Sequence, residues 1–239
     1  MADRALVTGG SRGIGRAVCA YLRETGHDVV IIDIVAPDDA GLATYIEADL
    51  SDEAATESAL QDVLADGPVT RLVNNVGVVK PALLKDATAA DFATVMAVNV
   101  RAAIHCAQAL TPGMRAAKFG RIVNIASRTV LGKPLRTNYA ASKGALVSLA
   151  RTWALELAGD GITVNTVCPG PIATELYRAA NPADSPRTIA SLANIPLGRV
   201  GEPEDIAEAV SFFLADGSSF ITGQTLHVCG GSSVGRAEF

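Results

Sequence analysis

Cysteine is scarce and scattered in this chain: Cys19, Cys106, Cys168 and Cys229 form no C-x-x-C pair, and His27, His105 and His227 stand alone. That spacing supplies neither a disulfide framework nor a zinc site, so no metal is expected and the cysteines read as small buried hydrophobes. Basic runs are missing too. With a net charge of −5 and no cluster of Lys or Arg, neither nucleic acid nor an anionic membrane is an expected partner. No apolar stretch reaches the roughly 18 residues needed to span a bilayer. Met1-Ala2-Asp3-Arg4 leads directly into a strand-like stretch, without the charged head and apolar run of a secretory leader, so the cytoplasm is the expected compartment. Internal repeats, low-complexity tracts and linkers are absent as well. The 239 residues are therefore expected to form one domain.

What the chain has is alternation. Short β-branched runs, Arg4–Thr8, Val29–Asp33, Thr44–Ala48, Arg71–Asn74, Gly120–Ile125, Thr163–Val167 and Thr225–Val228, alternate with Ala-rich amphipathic stretches. The expected helices are Ile14–Thr25, Glu53–Leu64, Ala89–Leu110, Tyr139–Ala158 and Pro203–Ala215, with Thr88 and Asp91 resembling a capping box before the third. This is the pattern of βαβ units: an α/β fold with a doubly wound parallel sheet of about seven strands and helices on both faces. Between Ile34 and Thr44 there is room only for a loop. From 171 to 200 five prolines fall in or beside the stretch, and a lid-like loop holding one short helix is expected.

Thr8-Gly9-Gly10-Ser11-Arg12-Gly13-Ile14-Gly15 joins the first strand to the first helix, where free backbone N–H groups and the helix dipole can hold a pyrophosphate. Its glycine spacing is not G-x-G-x-x-G, and no G-K-[S/T] follows, which disfavours an ATP loop; a plain glycine turn is the alternative. Asp33 ends the second strand, eighteen residues after Gly15, where a dinucleotide fold places the carboxylate that bonds the adenosine ribose. A carboxylate there repels a 2′-phosphate and favours NAD(H), while Arg12 speaks for NADP(H); Asp33 carries the balance.

Tyr139-Ala140-Ala141-Ser142-Lys143 sets a tyrosine and a lysine four apart on one helix face. A phenol of pKa about 10 is a poor acid/base at neutral pH, and a nearby ammonium is expected to lower that value. An exposed i, i+4 pair is the bland alternative. Ser127 weakens it, because it follows the strand ending at Ile125 and so falls on the carboxyl edge, where open α/β sheets bind ligands. A serine hydrolase does not fit, since there is no G-x-S-x-G and no histidine partner.

From Leu6 to about Gly231 the chain resembles the short-chain dehydrogenase/reductase family, in the branch that contains 3-oxoacyl-carrier-protein reductases. The resemblance rests on the Thr8–Gly15 loop, Asp49-Leu50, Asn74-Asn75-Val76-Gly77, the Ser127, Tyr139, Lys143 set and Cys168-Pro169-Gly170 with Ile172 and Thr174. It implies a nicotinamide-dependent oxidoreductase moving a hydride between the cofactor and a ketone or secondary alcohol. The catalytic residues it implies are Asn99, Ser127, Tyr139 and Lys143. Cofactor contacts fall on Gly9, Ser11, Arg12, Gly13, Ile14, Gly15, Asp33, Asp49, Leu50, Asn75, Gly77, Pro169, Gly170, Ile172 and Thr174, with Tyr139 and Lys143 again. Asn99 on its residues alone reads as a satisfied core amide. The substrate is a small carbonyl or alcohol compound, with 3-oxoacyl thioesters included. Asp160 stands where the branch usually has a base, with Lys118 keeping charge nearby, which argues against a carrier protein as partner. Leu176, Tyr177, Ile189 and Leu192, with Arg178 and Arg187, give the lid a partly apolar lining, and Arg128 and Arg136 flank the catalytic loop as solvated or anion-meeting groups. The helices at 89–110 and 139–158 carry apolar surface beyond one face, implying a homotetramer or homodimer. The rival reading is a catalytically silent nucleotide sensor or scaffold of the same fold.

Overall fold

Strand β1, Arg4–Thr8, is buried along its whole length, and its side chains alternate between two cores. Ala5 and Val7 pack with α1 (Gly13–Glu24) and α8 (Pro203–Leu214), whereas Leu6 packs with α2 (Glu53–Ala65), α4 (Ala102–Ala117) and α5 (Thr137–Leu157). The same alternation runs through β2 (Asp28–Asp33), where Val29 and Ile31 face one layer and Val30 and Ile32 the other. A strand covered on both faces must be apolar along its middle, which is why both runs keep polar residues to their ends: Arg4 and Thr8 in β1, Asp28 and Asp33 in β2. Each fully buried aliphatic side chain contributes about 2 kcal/mol. This computed structural model describes residues 3–182 and 184–235; Met1 and Ala2, where the expectation about a leader begins, and the side chain of Arg187 lie outside the described residues.

The remaining strands are β3 (Thr44–Glu47), β4 (Arg71–Asn74), β5 (Gly120–Ile125), β6 (Ile162–Pro169) and β7 (Thr225–Val228). All pairings are parallel and the order is β3-β2-β1-β4-β5-β6-β7. Parallel strands put every carboxyl end on one edge. The chain winds one way from β1 to β3 and the other way from β4 to β7, so the crevice lies beyond the ends of β1 and β4, the place where such sheets receive ligands.

The expected strands and the Ile34–Thr44 loop agree with the structure to within a few residues. Two helical stretches differ. The predicted helix 89–110 is two helices, α3 (Ala89–Met96) and α4, joined by one wide π turn at Ala97–Arg101. Thr88 opens α3, accepting from the Asp91 N–H at 3.1 Å and donating to its carboxylate at 2.9 Å. The second of these helices, α4, runs past the expected end at Leu110, with Pro112 carried inside it: Thr111 Oγ reaches the Gln108 carbonyl that the proline leaves unpaired, and the helix ends only where Lys118 turns left-handed at φ 51°. The lid holds two helices, α6 (Glu175–Ala180) and α7 (Pro186–Leu192), because Thr174 and Ser185 each cap a new start and Pro186 sits in the first turn, where its missing N–H costs nothing. Its two ends are pinned together by backbone bonds from Gly201 to Pro171 at 3.0 Å and from Ala173 to Gly201 at 2.8 Å. No helix among the described residues is long and apolar enough to cross a membrane.

Candidate active site

The glycine loop is welded to the end of β4. Asn75 donates its side-chain amide to the carbonyls of Thr8 (3.0 Å) and Gly9 (2.8 Å), and Thr8 Oγ accepts from the Asn75 and Val76 backbone at 3.1 and 3.2 Å. The predicted contact Asn75 thus spends its donors on the loop's own backbone. Gly15 shows why a glycine stands there: a Cβ would lie 2.2 Å from the Gly9 carbonyl oxygen, so α1 can start only with a bare Cα against the turn. Ser11 is buried and its hydroxyl has no partner among the described residues. A bare cradle at a helix start with an orphan hydroxyl fits a pyrophosphate, and by this measure the residues present fit a nicotinamide dinucleotide.

Asp33, at the end of β2, stands against this loop. Its carboxylate accepts from Ser11 N–H at 3.1 Å and, through the other oxygen, from Ile34 N–H at 2.8 Å. Arg12 is exposed, while Gly13 and Ile14 are half-buried. Leu50 is turned into the core and Asp49 folds its carboxylate onto the Ser51 N–H, so this pair presents mainly backbone to the crevice. Across the crevice, Thr174 lies over the loop, its methyl 3.1 Å from where a Gly13 Cβ would be, and its hydroxyl caps α6. Gly170 is pressed against Cys229, its N–H bonded to the Val228 carbonyl at 2.9 Å, and Ile172 is buried at the base of the lid beside Pro171, just beyond Pro169 at the end of β6.

The second half of the site is built where α5 meets the ends of β4 and β5. Lys143 is buried, donates to the Ile125 carbonyl at 2.7 Å and lies 5.7 Å from the centre of the Tyr139 ring. Gly77 leaves room for it: a Cβ there would be 3.2 Å from Lys143 Nζ and 3.4 Å from Asn99 Oδ1. Asn99 sits in the π turn, a deformation that recurs at functional sites. Its amide donates to the Val78 carbonyl (3.1 Å) and Ser142 Oγ (2.9 Å), and its oxygen accepts from Val78 N–H (2.8 Å). The core-amide reading therefore describes most of its bonding, with one oxygen lone pair left over near Lys143. Ser142 in turn donates to the Tyr139 carbonyl at 2.8 Å. Sequence reasoning passed over Ser142, whose only signal was its place in the Tyr139–Lys143 motif.

The electrostatics correct one expectation. Burial pushes the Tyr139 phenol above its ordinary value; a hydrogen bond with Ser127 and the charge of Arg136 pull the other way without prevailing. Lys143, expected to acidify the phenol, is not among these influences. Its ammonium is held on the Ile125 carbonyl over the ring rather than at the hydroxyl, and burial pulls its own pKa down to about 8. Asn99, Ser127, Tyr139 and Lys143 are thus brought together at the carboxyl edge, beside the glycine loop and Gly77.

A family model described as "Enoyl-(Acyl carrier protein) reductase" matches residues 9–233. The chain is 36% identical to the 3-oxoacyl-[acyl-carrier-protein] reductase FabG of Vibrio cholerae, over 95% of this chain and 96% of that one. It is 38% identical to the acetoacetyl-CoA reductase of Rhizobium meliloti, over 97% and 98%. The crystal structure of a levodione reductase superposes with a TM-score of 0.88 at 28% identity, covering 97% of both chains.

Proposed function

The chain belongs to the short-chain dehydrogenase/reductase family, an oxidoreductase of carbonyls and alcohols, and from that premise we propose that it interconverts a 3-oxo compound and its 3-hydroxy partner with NAD(H), using Tyr139 as acid/base. The observation that carries this reading is the convergence of the buried Lys143, Asn99 and Ser142 on the backbone and ring of Tyr139, opposite Ser127. When bound, the nicotinamide supplies or takes the hydride. Ser127 donates a hydrogen bond to the substrate oxygen, and Tyr139 gives its phenolic proton to that oxygen as it gains charge, or takes it back in the oxidative direction. A phenol raised by burial favours the protonated, donating form, which suits ketone reduction. Lys143 holds its ammonium on the Ile125 carbonyl, 5.7 Å from the centre of the Tyr139 ring, and the spare lone pair of Asn99 can accept a hydrogen bond from a water that links this end of the site to solvent.

Asp33 supports NAD(H): its carboxylate lies against the Ser11 N–H, where the extra phosphate of NADP(H) would meet like charge, and the exposed Arg12 is the opposing influence. The surface argues against a carrier protein. Arg115 and Lys118 both bond Asp160 at 2.9 Å, so its carboxylate offsets one of the two positive charges that could meet an acidic partner and ties both side chains down, and the Asp160 carboxyl is held below its usual range chiefly by Lys118. A small ketone or low-molecular-weight thioester is the fitting substrate. We read residues 171–200 as a substrate lid on a single domain, the protein as cytoplasmic, and its assembly as a homotetramer. Leu155 stands exposed on α5, as do Phe212 on α8, Phe220, and Leu226 on the edge strand β7, and these are the apolar groups offered to neighbouring subunits.

The test is a panel of simple ketones, 3-oxo esters and acetoacetyl thioesters with NADH, followed by Tyr139→Phe. Turnover should fall at least a thousandfold in the variant while NADH binding stays within about threefold. Full activity in Tyr139→Phe, or no turnover of any panel member by the parent, would sink the proposal; the latter is what a silent sensor predicts.

A further inference from the structure

Although the protein carries net negative charge, no Asp or Glu occurs between Asp91 and Glu156, and that stretch holds nine of the twenty Lys and Arg residues. Ser127, Tyr139 and Lys143 all lie within it. Arg136 is the residue whose position gives this bias a use. It is the N-cap of α5, three residues before Tyr139, and its charge reaches the phenol. A parallel backbone bridge to Ala82 ties it to the segment that follows Gly77 and Val78, so two site-forming loops fix its place.

Two features mark Arg136 as more than a solvated surface group. Its guanidinium bonds only the Leu135 carbonyl, at 2.9 Å, and among the described residues no carboxylate pairs with it, although it is only partly exposed. Leu135 itself adopts a left-handed backbone at φ 64°, a strained conformation for a leucine and one that collects at functional sites. The strain falls on the residue whose carbonyl orients the guanidinium. A planar cation with donors to spare, fixed at the head of the helix that carries Tyr139 and bridged to the segment that follows Gly77, matches a carboxylate one or two carbons from the substrate ketone.

We propose that Arg136 is a specificity residue that binds the free carboxylate of an oxo acid, so that the preferred substrate is a short 3-oxo acid or another ketone with a carboxylate close to the carbonyl. This rests on the reductase reading above and names its substrate class. A neutral ester of the same skeleton would enter without that contact. A thioester places its bulk where the carboxylate would sit, and so forfeits the contact too.

The experiment compares acetoacetate with methyl acetoacetate as matched probes, in the parent protein and in Arg136→Gln and Arg136→Lys, with circular dichroism melts to confirm folding. The parent should show the higher kcat/KM for acetoacetate. Arg136→Gln should lower the acetoacetate-to-ester ratio roughly thirtyfold, mostly through KM, and Arg136→Lys should recover part of it. A ratio unchanged in Arg136→Gln, or an equal loss on both probes, overturns the assignment while leaving the reductase reading intact. Failure of the parent to reduce either probe or any other ketone overturns that reading, and this inference with it.

Discussion

Replacing Asp33 with Asn removes one negative charge from the end of β2 and leaves the side chain nearly the same shape. In the structure its two oxygens accept from Ser11 N–H at 3.1 Å and from Ile34 N–H at 2.8 Å. The amide oxygen of Asn can keep the second bond, but its NH2 group would face the Ser11 N–H and lose the first, at a cost of about 1 kcal/mol, or a few degrees in Tm for a chain of this size. The effect on cofactor choice is larger. Two unit charges about 4 Å apart repel by about 1 kcal/mol in bulk water and about 4 kcal/mol at the effective dielectric of a protein surface. Asp33 is partly exposed, so the lower half of that range applies, and NADPH should bind roughly ten to thirty times more tightly to Asp33→Asn. NADH loses a charge-assisted bond to its ribose and should bind roughly tenfold more weakly. The NADH/NADPH preference therefore swings by about two orders of magnitude. Fluorescence titration of both reduced cofactors measures it directly. A swing under threefold, or a parent protein that already prefers NADPH, would show that the carboxylate does not meet the ribose as argued.

Two further tests probe the chemistry and the assembly. Lys143 has a folded pKa of about 8, pulled down by burial from about 10.5, so between these values the unfolded chain binds more protons and the native state gains stability as pH rises. Below pH 8 both states are protonated and the whole penalty, up to about 3 kcal/mol, is present. Lys143→Met should abolish most turnover, and its stability relative to the parent should be greatest near pH 7 and shrink toward pH 10 in urea melts; a gap independent of pH would contradict the burial argument. Static light scattering at micromolar concentration should give about four times the chain mass, and Leu155→Glu should lower it; a monomeric parent would refute the assembly and leave the exposed Leu155 and Phe212 without the role assigned to them.

Much of the architecture was legible because a buried parallel strand must be mostly apolar and β-branched and each crossover needs an amphipathic helix. Runs such as Val29–Asp33 and Gly120–Ile125 could hardly be anything else. The glycine loop was legible through stereochemistry: Gly9 and Gly13 take positive φ and Gly15 touches backbone. Where periodicity failed, a side chain had displaced the regular pattern. The π turn exists where Asn99 satisfies both backbone groups of Val78, twenty-one residues away, and no local rule sees that partner. Likewise Arg71 and Arg121 look like surface residues, yet they are buried with their guanidinium groups 4.9 and 4.2 Å from the Phe119 ring centre, bonding the carbonyls of Leu214, Ala215 and Asp216 at the end of α8.

Sequence by itself determined the sheet, the dinucleotide-type loop with its acidic strand end, and the residue types that the chemistry would need, because each depends on local period, turn stereochemistry or fixed spacing along one helix. Tertiary structure decided the electrostatics: that burial, and not the neighbouring ammonium, dominates Tyr139, that Lys143 is spent on the Ile125 carbonyl, and that Arg136, with no carboxylate partner among the described residues, adds its charge to the phenol. Charge interactions and desolvation depend on distances between segments far apart in the chain, which spacing in a sequence does not contain.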